Sequence, residues 1–241
     1  MDIQKLARET GAILTSYRGN INPQLKGDGT VVTEADFAAN KHLLEALIPT
    51  GATILSEETG FQVGGDTMYV IDPLDGTSGF ANGRGHFSTM IGKVENGKVT
   101  EGVVYAPVED ELYYANNQGA WKNGVPITTD NKTRDLGLAI GSKGIPDGFV
   151  DDFNILWAID YSSFGVRMSK IADGTIDLYM PFKKHTSWSW DVVAPYIIAK
   201  QAGAQVLSLG DKLDFTQKEM PGIIITNAND ELAQKALAYF K

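Results

Sequence analysis

The chain has no cysteine, and that single absence removes disulfides, thiolate zinc sites and a cysteine nucleophile. Histidine is nearly missing as well: His42, His86 and His185 are the three imidazoles in 241 residues. Positive charge is in deficit, 21 Lys plus Arg against 30 Asp plus Glu, for a net charge of −9. That sign is wrong for general attraction to nucleic acid or anionic lipid, so any anionic substrate needs a local positive device. Long apolar runs are lacking too. The start, Met1 to Glu9, mixes charges where a signal peptide would be unbroken and apolar, and no stretch approaches the roughly 18 residues of a membrane span. A cytoplasmic enzyme or binding protein is the expectation.

What is present is enough to build a core. With 43% hydrophobic and 10% aromatic residues the chain is too apolar for disorder, and its length suits one large domain or two packed halves. Helical spacing of apolar residues predicts helices over 3–16 and 33–48, separated by a Gly, Asn, Pro and Asp-rich stretch, Gly19–Thr30, that reads as a mobile loop. Short strands follow at Thr53–Leu55 and Met68–Ile71. A hairpin follows, built from Ser88–Glu95, the Asn96-Gly97 turn and Lys98–Ala106, with Leu112–Ala115 beyond it. The second half alternates strands at 136–142, 176–180, 204–207 and 222–226 with helices at 165–172, 192–202 and 229–240. The fold class is therefore α/β, an α+β first half over 1–134 and an α/β second half over 135–241.

The most informative stretch is Tyr69-Val70-Ile71-Asp72-Pro73-Leu74-Asp75-Gly76-Thr77. A strand ends in two aspartates around a proline and opens into a helix start, the kind of place where α/β proteins build anion sites. Two readings are open. Asp72 and Asp75 can face one point and hold Mg²⁺, whose preference is for hard oxygen ligands, or both can simply cap the turn, since Asp-Pro and Asp-Gly are common turn dipeptides. A second acidic pair, Glu57-Glu58, follows a short strand and reads as a solvated turn, and two lone acids read as caps, Asp191 before an apolar helix and Asp36 in a Thr33-Glu34-Ala35-Asp36 capping-box spacing. His86 reads as an exposed loop residue, and the Trp188/Trp190 pair as packing rather than a base-stacking platform.

Taken together, Thr-Glu-Ala-Asp at 33–36, Ser-Glu-Glu at 56–58, Asp-Pro-Leu-Asp-Gly-Thr at 72–77 and Trp-Asp at 190–191 resemble the inositol monophosphatase superfamily of Mg²⁺-dependent, lithium-sensitive phosphatases. The resemblance spans roughly Leu6 to Leu213. Leu55–Glu58 and Gly102–Val108 look most like the 3′(2′),5′-bisphosphate nucleotidase branch. It implies a layered αβαβα sandwich, with the 1–134 half binding metal and the 135–241 half completing the active site. It further implies two or three Mg²⁺ ions: Glu57, Asp72 and the Leu74 carbonyl at one, Asp72, Asp75 and Asp191 at another, and Glu57 at a weaker third. Thr77 and Asp36 would orient the attacking water, with Glu57 also counted among the catalytic residues. Gly76, Thr77, Arg167, Lys184 and Asp191 would meet the substrate.

The implied activity is phosphomonoesterase chemistry on a small phosphorylated metabolite, with no protein nucleophile required. 3′-Phosphoadenosine 5′-phosphate is the expected substrate, with inositol monophosphate, fructose 1,6-bisphosphate or histidinol phosphate as alternatives. A non-catalytic Mg²⁺ or phosphate-binding module is the reading from another class. A homodimer is expected, with neither nucleic-acid nor membrane partners. Two positions depart from the family pattern. Lys184 stands where inositol phosphatases carry an acid, which suits a second phosphate, and Pro195 follows Trp-Asp where only a first-turn proline is tolerated.

Overall fold

The structure, a computed structural model, describes residues 1–19, 21–27, 29–140, 145–182 and 186–240. Lys184, expected at the substrate, lies outside the described residues. Helix α1 (Ile3–Ser16) starts at Asp2, whose carboxylate accepts the Gln4 and Lys5 N–H groups. A two-stranded ribbon, β1 (Gln24–Leu25) with β2 (Val31–Val32), occupies part of the stretch expected to be loop, and leads into α2 (Glu34–Leu47). The capping box anticipated at Thr33 and Asp36 is present.

An eight-stranded sheet follows, from β3 (Ala52–Ser56), β4 (Gly60–Gln62) and β5 (Gly65–Asp75), then β6 (Ser88–Glu95) and β7 (Lys98–Ala106) after the short helix α3 (Thr77–Ala81). β8 (Glu111–Asn116), β9 (Gly119–Lys122) and β10 (Val125–Pro126) complete it, in the order β10-β9-β8-β7-β6-β5-β3-β4. Only β3 and β5 run parallel in this sheet. The β6–β7 hairpin turns at Asn96-Gly97, both at positive φ as that dipeptide allows.

The second half adds β11 (Leu136–Ile140), α4 (Phe149–Asp152), β12 (Ile155–Asp160), α5 (Phe164–Ala172) and β13 (Leu178–Tyr179). β14 (Thr186–Trp188), α6 (Ser189–Gln201), β15 (Gln205–Ser208), β16 (Glu219–Pro221), β17 (Ile223–Thr226) and α7 (Asp230–Ala238) close the chain. Its sheet has the order β12-β11-β13-β17-β15, while β14 pairs with β16 as a separate ribbon.

Side-chain alternation shows how the layers stack. On β5, Ile71 joins Leu6, Leu43 and Leu47 under α1 and α2, while Val70 joins Val166, Ile171 and Ile198 under α5 and α6. On β17, Ile223 and Ile225 face that same middle helix layer, and Ile224 faces Phe149 and Leu232 of α4 and α7. The result is the αβαβα sandwich expected from the sequence. Between the large sheet and α5, a half-buried ion network adds polar stitching: Glu111 pairs with Lys122 and Lys170, and Asp173 with Lys122 and the Tyr113 hydroxyl. Among the described residues no helix is long and apolar enough to cross a membrane.

Helix α6 begins at Ser189, three residues before the expected start, so Pro195 falls beyond the first turn and removes one rung from the ladder. A proline inside a helix costs about 3 kcal/mol. Packing offsets that cost: Val192, Val193, Ala194, Pro195, Ile197 and Ile198 are all buried, and the helix backbone rests on Gly92 and Gly102, which are paired across β6 and β7. A Cβ on Gly102 would lie 2.5 Å from the Ala194 carbonyl oxygen and 2.7 Å from Ile197 Cγ2. Gly102→Val is therefore expected to lift α6 off the sheet and cost about 1–3 kcal/mol or more. That corresponds to a fall of roughly 2–4 °C in melting temperature per kcal/mol, read by circular dichroism.

Candidate metal and phosphate site

The site is built on an irregularity in β5. In a regular strand, residues three apart point to opposite faces, so Asp72 and Asp75 could not converge. Asp72 is opposite Met90 and Asp75 is opposite Ser88, so three steps on β5 face two on β6. That one-residue bulge also houses Pro73, which has no N–H for a ladder. The sequence suggested a strand ending before the first aspartate and a sharp proline turn. The strand instead runs on through Asp75. The bulge re-aims both carboxylates, and with Asp191, in the first turn of α6, they present oxygens within 4.8 Å of one another.

Asp72 and Asp75 are held from behind. Asp72 Oδ1 accepts the Leu74 N–H at 3.0 Å. Asp75 sits at the head of α5, where its Oδ2 accepts the Gly165 N–H at 2.7 Å and the Ser163 hydroxyl at 2.5 Å, and its Oδ1 accepts the Phe164 N–H at 3.0 Å. The Ser88 hydroxyl donates to the same Oδ2. These donors satisfy Asp75 without neutralising it, and neither Asp72 nor Asp75 forms an ion pair with Lys, Arg or His among the described residues. Asp72 is fully buried. Burial first, then the nearby charges of Glu57, Asp75 and Asp191, push its carboxyl well above the ordinary carboxylate range.

Beside this trio, Gly76 turns the chain at φ +90° into α3, packed against the Ser162–Ser163 backbone where a side chain would collide. The Thr77 hydroxyl lies 3.0 Å from Asp36 Oδ1 and 2.8 Å from the Leu74 carbonyl. Asp36 uses its other oxygen, Oδ2, to accept the Thr33 N–H and hydroxyl at 2.7 and 2.6 Å. One carboxylate thus caps α2 and faces Thr77 at once. Burial raises its pKa despite those hydrogen bonds.

Glu57 stands at the end of β3, its N–H donating to the Ile71 carbonyl at 3.2 Å. It is next to Asp72 but outside the trio, because Lys26 takes its carboxylate at 2.9 Å and that of Glu58 at 2.7 Å. Burial pushes the Glu57 carboxyl up, and although burial alone would lower Lys26, the carboxylates of Glu57 and Glu58 hold it above its usual range. Lys26 went unread in the sequence because it sits among loop-forming residues, and its one signal was a positive charge in a short ribbon. Ser163 was legible in principle, as a serine directly before an apolar helical run. Arg167, expected at the substrate, donates to the carbonyls of Tyr161 at 2.6 Å and Ser162 at 3.1 Å, so it braces the loop entering α5. His86 is half-buried rather than merely exposed, paired with Glu109 at 2.9 Å and edge-on to Tyr161.

Three hard carboxylate oxygens converging in a largely buried place, with like charges unrelieved by any neighbouring cation on Asp72 and Asp75, fit a divalent ion and fit nothing apolar or thiophilic. An adjacent backbone turn and a polarised hydroxyl make the place suited to a phosphate group.

The model of the inositol monophosphatase family matches residues 2–240. The 3′(2′),5′-bisphosphate nucleotidase CysQ of Salmonella typhimurium is 33% identical, the match covering 92% of this chain and 97% of that one. The fructose-1,6-bisphosphatase/inositol-1-monophosphatase of Thermotoga maritima is 31% identical, covering 89% of this chain and 84% of its own length. Among solved structures, a Thermotoga maritima IMPase superposes with a TM-score of 0.83 at 27% identity, covering 98% of this chain and 95% of that one.

The crowding of carboxylates has a measurable consequence for the metal-free protein. Asp72 has a folded-state pKa raised above its unfolded value of about 3.9, so its protonated form favours the fold at low pH and its ionised form opposes it as pH rises. In chelator, Asp72→Asn is expected to melt several degrees above the unsubstituted protein at pH 7, with the gap closing near pH 4. Adding Mg²⁺ at pH 7 should raise the melting temperature of the unsubstituted protein alone. A gap that is independent of pH would place Asp72 outside the charged cluster.

Proposed function

The chain belongs to the inositol monophosphatase family, metal-dependent phosphatases of small phosphate esters, and from that premise we propose that it is a Mg²⁺-dependent 3′(2′),5′-bisphosphate nucleotidase. The observation that carries the phosphatase reading is the convergence of Asp72, Asp75 and Asp191 beside the Asp36–Thr77 hydrogen bond. The nucleotide is favoured as substrate by the likeness to the Salmonella typhimurium nucleotidase.

On this reading Glu57, through the oxygen that Lys26 does not take, would hold one Mg²⁺ with Asp72 and the Leu74 carbonyl, Asp72, Asp75 and Asp191 would hold a second, and Glu57 would be open to a weaker third. Bound Mg²⁺ supplies Lewis acidity that lowers the pKa of water and neutralises phosphoryl charge. The chain supplies the rest. Thr77, its hydroxyl hydrogen given to Asp36, has lone pairs left to accept a hydrogen from the incoming water and so to aim it. Asp36, its basicity raised by burial, is placed to take the proton. The Gly76 and Thr77 amides meet the phosphate at the turn. Residues 1–134 form the metal-binding half. Residues 135–241 complete the site through Asp191 and through the Ser163–Gly165 donors that clasp Asp75. Arg167 acts by holding the loop that carries those donors.

A second reading, a phosphatase for inositol 1-phosphate or fructose 1,6-bisphosphate, is favoured by the likeness to the Thermotoga maritima enzyme. Phosphate release from 3′-phosphoadenosine 5′-phosphate, inositol 1-phosphate, fructose 1,6-bisphosphate and histidinol phosphate, with Mg²⁺ and with chelator, separates the two. The highest kcat/KM is expected for the nucleotide, with loss in chelator. No release from any ester with Mg²⁺ present would mark a binding module instead.

Asp36→Asn tests the mechanism. Its amide oxygen can still accept from Thr33, but its NH₂ then faces Thr77, so kcat should fall by about 10²–10⁴-fold with little change in melting temperature. A stability loss with unchanged kcat would leave Asp36 only its capping role.

A further inference from the structure

Two tryptophans stand at the head of α6, directly before Asp191. Their rings lie parallel, 11° apart, with centroids 5.3 Å from each other. Packing accounts for Trp190, which is 7% exposed and belongs to the core, but not for Trp188, which leaves 37% of its surface to solvent. Lys218 sits 5.5 Å from both ring centroids, and among the described residues it forms no ion pair. The backbone beneath the pair is pinned: the Ser189 N–H donates to the Lys218 carbonyl at 3.0 Å, its hydroxyl donates to the Gln217 carbonyl, and Trp188 pairs with Glu219 in the β14–β16 ribbon.

These observations describe a rigid aromatic surface with a positive charge at its edge. Trp188 is the N-cap of α6 and Asp191 the third residue of its first turn, so the two belong to one helix end. The surface therefore stands at the same helix end that supplies one of the three converging carboxylates. A substrate that places one phosphate at those carboxylates and carries a planar group one sugar away can lay that group on Trp188. Inositol and fructose phosphates have no such group, whereas a nucleotide does.

We propose that Trp188, backed by Trp190 and edged by Lys218, is the specificity platform on which the base of a nucleotide substrate stacks. This deepens the nucleotidase reading and rests on it. Lys218 adds a charge suited to the second phosphate of such a substrate, whereas Lys26 and Arg167, among the described residues, are already engaged.

Fluorescence and kinetics test it together, in Mg²⁺. AMP is expected to quench tryptophan emission saturably in the unsubstituted protein while ribose 5-phosphate does not, and Trp188→Phe should lose most of that quench. Base–aromatic stacking is strong enough that Trp188→Ala should lower the ratio of kcat/KM for 3′-phosphoadenosine 5′-phosphate over inositol 1-phosphate by about tenfold, through KM. Trp188→Phe should recover much of that ratio, and it keeps the test alive if the alanine variant fails to fold. Nucleotide hydrolysis with no quench and an unchanged ratio overturns the platform and leaves the nucleotidase reading standing. A quench lost in Trp188→Phe, with no nucleotide hydrolysis, overturns the nucleotidase reading and leaves the platform.

Discussion

Mutual repulsion among buried carboxylates is the constraint around which this molecule is arranged. Bringing Asp72, Asp75 and Asp191 to within a few ångströms of one another costs free energy in the absence of a cation, more so because Asp72 is shut away from water. A protein can carry such a cluster only if the surrounding backbone is held rigidly enough to stop the charges from parting. The bulge at Pro73 and Leu74 does this on one side, since it belongs to a strand in the middle of an eight-stranded sheet. The head of α6 does it on the other, anchored by the close fit of its backbone over Gly92 and Gly102.

The two halves of the chain meet through the same cluster. Asp75 belongs to the first half, yet among the described residues three of its four hydrogen-bond donors are Ser163, Phe164 and Gly165 at the start of α5. A carboxylate at a helix N-terminus is favoured by the unpaired N–H groups and the dipole, so this contact stabilises a junction as well as aiming a ligand. The ion network of Glu111, Lys122, Lys170 and Asp173 ties the far end of the large sheet to the same helix. Disturbing how the strand of Asp75 docks on the head of α5 is therefore expressed at the carboxylates.

The charge deficit of the chain fits this arrangement. With a net charge of −9, the protein offers an anionic substrate little long-range attraction. On the proposed reading attraction is local instead, from the ion the carboxylates would hold and from the backbone N–H groups of Gly76 and Thr77. Lys26 illustrates the balance: the ribbon that carries it lies over Glu57 and Glu58, and its ammonium takes both.

Much of this was written locally in the chain. The Thr33–Asp36 capping box, the Asn96-Gly97 hairpin, the α/β alternation and the candidate acids at 36, 57, 72, 75 and 191 all follow from short-range chemistry, where a few neighbouring residues decide the outcome. The elements that escaped the sequence did so for the opposite reason. β12 has four of its six residues outside the core and pairs with β11 only because the sheet is there, and the short strands β14 and β16 exist only as each other's partner. Pro195 looked misplaced because the packing that compensates for it comes from glycines some 90 residues away. Sequence by itself determined which acids and turn formers are available and that they would fall at element ends. Only tertiary structure decided that a one-residue bulge turns Asp72 and Asp75 to the same side, that Asp191 arrives beside them, and that Lys26 takes the carboxylates of Glu57 and Glu58. Backbone hydrogen bonding and periodicity act over a few residues, whereas convergence of side chains is set by how sheets and helices pack.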